Sequence, residues 1–150
     1  MREQLKLDLN AAMKARDALK VATLRLVNDA VKNKDIEARG LGKGPLSDED
    51  ILGVLQKLIK QRQESAEIYE KAGRQELASQ ERGEIAIIAA YLPQQVTDEE
   101  MRAIIARMIS ETQAASLKDM GKVMSALRAG YAGKMDFAKA STALKDMLKG

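Results

Sequence analysis

Ile85-Ala86-Ile87-Ile88-Ala89-Ala90-Tyr91-Leu92-Pro93, followed by Gln94-Gln95-Val96-Thr97, decides how this chain is organised. The first part reads as the apolar end of a helix. Pro93 ends it, because proline has no N–H to donate and holds the residue before it in extended geometry. A new helix starts at Thr97-Asp98-Glu99-Glu100, a capping box in which Thr97 and Glu100 each bond the other's backbone N–H. Val96 and Met101 occupy the two positions of a hydrophobic staple, which fixes the angle of re-entry. The joint predicts an N-terminal helical domain over residues 1–93 and a C-terminal three-helix bundle over 94–150.

Upstream of the joint, Leu5, Leu9, Ala12 and Met13 recur at helical spacing, and Leu19, Leu26, Val27 and Val31 mark a second stripe that fades near Arg39. Gly40-Leu41-Gly42-Lys43-Gly44-Pro45 reads as a flexible turn-rich linker. Its glycines and lysine lack the order of a phosphate-binding loop, and no strand precedes them. Ser47-Asp48-Glu49-Asp50 caps a third helix with stripe Ile51, Leu55, Leu58, Ile59, Ala66 and Tyr69, stopped by Gly73. A fourth helix runs from about Arg74 to Leu92. If Gly73 turns an antiparallel hairpin, residues equally far from it face one another: Arg62 with Glu84, Ile59 with Ile87, Leu58 with Ile88. Gly83 then lies where the partner helix passes closest.

After the joint, Met101, Ile104, Ile105 and Met108 define a fifth helix. Ser116-Leu117-Lys118-Asp119 is a further capping box, opening a sixth helix that carries Met120, Val123, Met124 and Leu127 and stops at Gly130. Asp136 caps a seventh with Phe137, Ala140, Leu144 and Leu148. No stretch alternates with period two, so the fold class is all-α.

Composition removes whole classes of chemistry. The chain has neither cysteine nor histidine. Disulfides, thiolate zinc sites, a cysteine nucleophile and an imidazole base are thereby excluded. No catalytic constellation, metal site or cofactor site is visible. The start, Met1-Arg2-Glu3-Gln4-Leu5-Lys6, lacks the apolar core of a signal peptide, and no segment approaches about 18 apolar residues. The expectation is a soluble cytoplasmic protein. From Lys118 onward, seven lysines and arginines stand against three aspartates, a surplus of +4 in a chain of net charge +3.

Three clusters merit weighing. Arg62, Glu64, Glu67, Glu81 and Glu84 are either a carboxylate site or an ion-pair network; no Glu-x-x-His pattern accompanies them, which favours the network. Of the eight methionines, six follow the joint and most sit on core stripes, so core filler outweighs an adaptable groove. Lys118, Gly121, Lys122, Arg128 and Lys134 form the third. Lys118 and Lys122 share a helix face, with Lys118 near an N-terminus whose free N–H groups can hold a phosphate. Gly121 would admit another backbone, or serve helix packing.

Ser116-Leu117-Lys118-Asp119-Met120-Gly121-Lys122-Val123-Met124, with Ala89-Ala90-Tyr91-Leu92-Pro93-Gln94-Gln95 before it, resembles the YqeY family. Thr23-Leu24-Arg25-Leu26, Arg62 to Tyr69, Ala72-Gly73-Arg74 and Glu81 to Ile85 agree, so the resemblance spans essentially the whole chain. Ala132-Gly133-Lys134-Met135-Asp136-Phe137 departs from the family's commoner Gly-Arg-Ala-Asp-Gly form. Members resemble the tail of GatB, a subunit of the tRNA-dependent amidotransferase that amidates misacylated Glu-tRNA or Asp-tRNA. The resemblance implies a tRNA contact at Lys118, Lys122 and Lys134, and a carbon–nitrogen ligase label with glutamine as donor, without supplying an active site. A tRNA-binding accessory module is therefore the first expectation. The alternative is a helical protein–protein adaptor using exposed Met and Leu of the C-terminal body.

Overall fold

The computed structural model describes residues 1–149, and its regular elements are all helical. In chain order they are α1 (Arg2–Ala15), α2 (Ala18–Gly40), α3 (Asp48–Lys71), α4 (Gln75–Ala89), α5 (Asp98–Thr112), a 3-10 turn (Leu117–Asp119), α6 (Met120–Tyr131) and α7 (Phe137–Lys149). No strand occurs among the described residues. The chain divides into two compact units, Met1–Leu92 and Pro93–Gly150. Leu5, Leu24, Val27, Ile51, Leu55 and Ile88 centre the core of the first; Ile105, Val123, Leu127, Met135, Ala140 and Leu144 centre that of the second.

α4 stops at Ala89, three residues short of the expected Leu92. The N–H groups of Tyr91 and Leu92 turn back to the Ile88 and Ala89 carbonyls at 3.1 and 3.0 Å. In a continued helix the Pro93 ring would collide with the Ala89 carbonyl, so the chain tightens into i→i−3 turns ahead of it. On the far side, Thr97 caps α5 by accepting the Glu100 N–H at 3.1 Å. Its hydroxyl also donates to Glu100 Oε1 at 3.0 Å, in place of the expected return bond to the backbone. Val96 and Met101 pack into one core, as a staple requires.

The loop after α2 is built rather than slack. Lys43 N–H reaches the Ala38 carbonyl at 2.8 Å and Gly42 N–H the Arg39 carbonyl at 3.0 Å, a Schellman turn with Gly42 at φ 74°. Arg2 clamps the far end: its guanidinium donates to both oxygens of Asp35 at 2.7 Å and to the Leu46 carbonyl at 3.1 Å. Asp35 in turn accepts the Leu46 N–H at 2.9 Å. One carboxylate thus ties α1, α2 and the chain entering α3.

Gly73, at φ 74°, closes a second Schellman turn, with Arg74 N–H on the Tyr69 carbonyl at 2.8 Å. α4 packs along α3 beyond it. There Arg62 Nε donates to Glu84 Oε2 at 3.1 Å, while its Nη1 bonds the Leu58 carbonyl at 3.0 Å. Gly83 serves a different neighbour from the one expected. A Cβ there would lie 2.9 Å from Leu19 Cδ2, so the close approach is to the start of α2, not to α3. Mirror positions about a turn say nothing of a third helix.

Two outcomes follow. Arg62 and Glu84 side chains are only 11% and 15% exposed, so Arg62→Ala strands a carboxylate and should cost about 3 kcal/mol in a denaturant melt. A wild-type midpoint would contradict this. Asp35 is held down to about 2, first by the Arg2 hydrogen bond and then by the Leu46 N–H. A depressed carboxylate contributes stability that is fully present above its unfolded value of about 3.9 and lost as pH falls toward 2. Asp35→Asn should lose stability at neutral pH and flatten the acid limb between those values in pH-dependent melts.

Candidate nucleic-acid interface

Lys118, Gly121, Lys122, Arg128 and Lys134 are all exposed. The structure strings them along α6 rather than gathering them. Lys118 lies in the 3-10 turn at one end, Arg128 in the last turn, and Lys134 beyond the other end. Twelve residues of helix separate the ends by about 18 Å at 1.5 Å per residue. Lys118 and Lys122 remain about one turn apart. None of these four cations is held in an ion pair among the described residues. Others in the same unit are: Lys139 stands 3.8 Å from Asp98, and Arg107 pairs with Glu111 at 3.7 Å while donating to the Tyr131 hydroxyl at 2.6 Å.

The phosphate cradle expected at the start of α6 is not free. Ser116 Oγ accepts the Lys118 N–H at 3.4 Å, and the Ser116 carbonyl accepts that of Asp119 at 2.9 Å. Asp119 accepts from the Ala115 and Ser116 N–H groups at 2.8 and 3.3 Å. Those two bonds hold its carboxyl below the ordinary range, with Lys122 adding a smaller pull. The same capping box that identifies the helix start in sequence therefore engages the Lys118 and Asp119 N–H groups and places a negative charge there. An anion near this end is left chiefly to the ammonium groups.

Lys134 sits on a turn fixed to the joint. Gly133, buried and at φ 76°, offers its carbonyl to Gln95 Nε2 at 2.7 Å, and the Lys134 carbonyl accepts the Val96 N–H at 2.8 Å. Only a glycine takes that φ without strain. The atypical 132–137 segment is thus ordered by residues of the joint, and it presents the Lys134 side chain outward.

Gly121 meets nothing among the described residues: beyond its own turn of helix, none of their atoms lies within 4 Å of where its Cβ would be. Helix packing within the chain does not require it. The methionines are mostly core, with Met101, Met124 and Met135 buried. Of the carboxylate cluster, Glu64 and Glu67 are exposed, while Glu84 faces Arg62 directly. Glu81 beside it is raised, by burial first and by the Glu84 charge second. Among the described residues no three acidic groups are arranged to hold a metal ion.

One polar contact had a partial signal in the sequence. The Tyr91 hydroxyl donates to Asp8, which also accepts from Gln4 Nε2 at 2.8 Å. Burial, then the Asp8 contact, pushes the phenol well above its ordinary value. A tyrosine at the apolar end of a helix needs a partner for its hydroxyl, but nothing in the sequence says that the partner lies in α1.

The model for Yqey-like proteins matches residues 2–148. Among curated proteins, 88 residues are 39% identical to "Altered inheritance of mitochondria protein 41, mitochondrial" of Vanderwaltozyma polyspora, covering 59% of this chain and 46% of that protein. The protein of that name from Lachancea thermotolerans is 36% identical over 109 residues, 71% of this chain and 57% of its own length. That from Clavispora lusitaniae is 30% identical over 112 residues, 73% and 63%. The chain spans about half the length of the first of these relatives. The cytoplasmic expectation is overturned here, since each of these relatives is named as mitochondrial. The lack of an apolar leader or a membrane span does not bear on that compartment, whose targeting segments are amphipathic.

Because no neighbour occupies the Gly121 position, Gly121→Ala should stabilise the chain by about 0.5–1 kcal/mol through helix propensity. Thermal unfolding checks it, and a loss of stability would mean that the glycine answers a packing need.

Proposed function

The chain belongs to the Yqey-like family, and we propose that it is a tRNA-binding accessory module related to the tail of the tRNA-dependent amidotransferase. The observation that carries the reading is the row of exposed cations along α6, none of them ion-paired among the described residues, whereas Arg107 and Lys139 of the same unit are paired with acids. Cations without an ion-pair partner, spread along about 18 Å, leave a positive field for a polyanion. The resemblance to the amidotransferase tail supports tRNA as that polyanion. The contact is electrostatic and sequence-tolerant, because lysine on phosphate positions without reading bases. No catalytic step belongs to this reading, and any part in amidation would be as an accessory.

The experiment is tRNA binding followed by anisotropy at several salt concentrations. The binding constant should fall steeply with salt, and Lys118→Ala/Lys122→Ala should reduce the magnitude of the slope by roughly two, at about one per phosphate contact. The double variant should keep its fold, since surface changes of this kind stay within about 0.5 kcal/mol. Salt-insensitive binding, or an unchanged slope in the variant, would transfer the case to the protein–protein adaptor.

A further inference from the structure

The first unit carries a hollow of about 560 Å³ between the end of α2, the loop that follows it and the first half of α3. Its volume lies within the range of small-molecule sites. The walls combine two kinds of surface. Leu41, Pro45, Leu46 and Val54 supply apolar area, with Leu41 left 73% exposed. Lys34, Lys43 and Lys57 supply cations. Two carboxylates also line it, and both are occupied: Glu37 pairs with Lys34 at 3.1 Å, and Asp50 accepts the Ser47 N–H at 3.2 Å. Lys43 and Lys57 have no such partner among the described residues.

Two further features make the hollow a built one. The loop forming its wall is fixed at one end by the Schellman turn through Lys43 N–H and at the other by the Arg2–Asp35–Leu46 clamp. A site whose walls are already held loses less freedom on binding. Gly53 also lines the hollow, inside a helix where glycine is disfavoured, and beyond its own turn of helix no atom of the described residues lies within 4 Å of its would-be Cβ. No neighbour in the chain requires that glycine; what its absent side chain leaves is room in the hollow.

We propose that this hollow binds an amphipathic organic anion, its charged group held by Lys43 and Lys57 and its apolar body against Leu41 and Val54. The site is in the unit that does not carry the proposed RNA contact, and does not depend on it.

The full chain would be titrated with 1-anilinonaphthalene-8-sulfonate, an apolar ring system bearing one anionic group. Saturable binding to one site is expected in the natively folded protein, confirmed by a cooperative melt. Lys43→Ala/Lys57→Ala should weaken it by at least about tenfold. Gly53→Leu, which fills the hollow from a position with free space, should abolish it while the helix is retained. Lys118→Ala/Lys122→Ala should leave it unchanged, so that failure here and failure of the RNA reading are told apart. Competition with adenosine 5′-monophosphate and with octanoate separates phosphate on an aromatic body from carboxylate on an acyl chain, and displacement by either supports the site. No saturable binding, displacement by neither competitor, or binding indifferent to both hollow variants would overturn it.

Discussion

Pro93 cannot donate a backbone hydrogen bond and cannot follow Ala89 in a helix without striking its carbonyl, and the arrangement of the chain depends on that constraint. Because the helix must end, Tyr91 and Leu92 tighten into turns, and the apolar stripe that reaches Ile88 closes the first core there. Because the chain must start again, Val96 and Thr97 are set to cap and staple α5, which opens the second core. The joint is also where the second unit fastens its own loop, through Gln95 and Val96 to the 133–134 turn. Lys134 is displayed as a consequence of that fastening.

Within the first unit, apolar periodicity explains which faces are buried, and a few polar contacts explain how the helices are held. Arg2 with Asp35, Arg62 with Glu84 and Tyr91 with Asp8 each join elements that are not consecutive or that meet only after a turn. Exposed pairs such as Arg82 with Glu70 have the same chemistry and little energetic weight, because water screens them. The half-buried pairs matter more, since losing one partner leaves a charge with no substitute for its lost hydration.

Local chemistry was legible in the sequence to the extent that it is local. The all-α class, the Ser47 cap, the Ser116 capping box, the Asp136 cap and the Gly73 turn can be read within a few residues, and the structure has them. The Arg62–Glu84 pair was legible because a tight turn makes distance along the chain into distance in space. Leu19 against Gly83 and Asp35 under Arg2 follow no such rule, because they join elements whose packing order is tertiary. The hydrogen bonds at the ends of the 40–45 loop were not legible, because glycine content signals permissive backbone whether or not such bonds form. The site was half legible. Residue type and exposure of Lys118, Lys122, Arg128 and Lys134 followed from sequence, whereas the occupancy of the helix-start donors depended on where Ser116 and Asp119 actually direct their oxygens.

The central claim is that the joint at Pro93 separates two self-sufficient cores and that the second alone carries the proposed polyanion contact. It is tested most directly by producing residues 93–150 on their own and measuring both helicity and tRNA binding against salt. The account predicts a folded fragment that binds with the same salt slope as the whole chain, while residues 1–92 fold and bind weakly or not at all. A fragment 93–150 that is unfolded, or tRNA affinity that stays with residues 1–92, would contradict it.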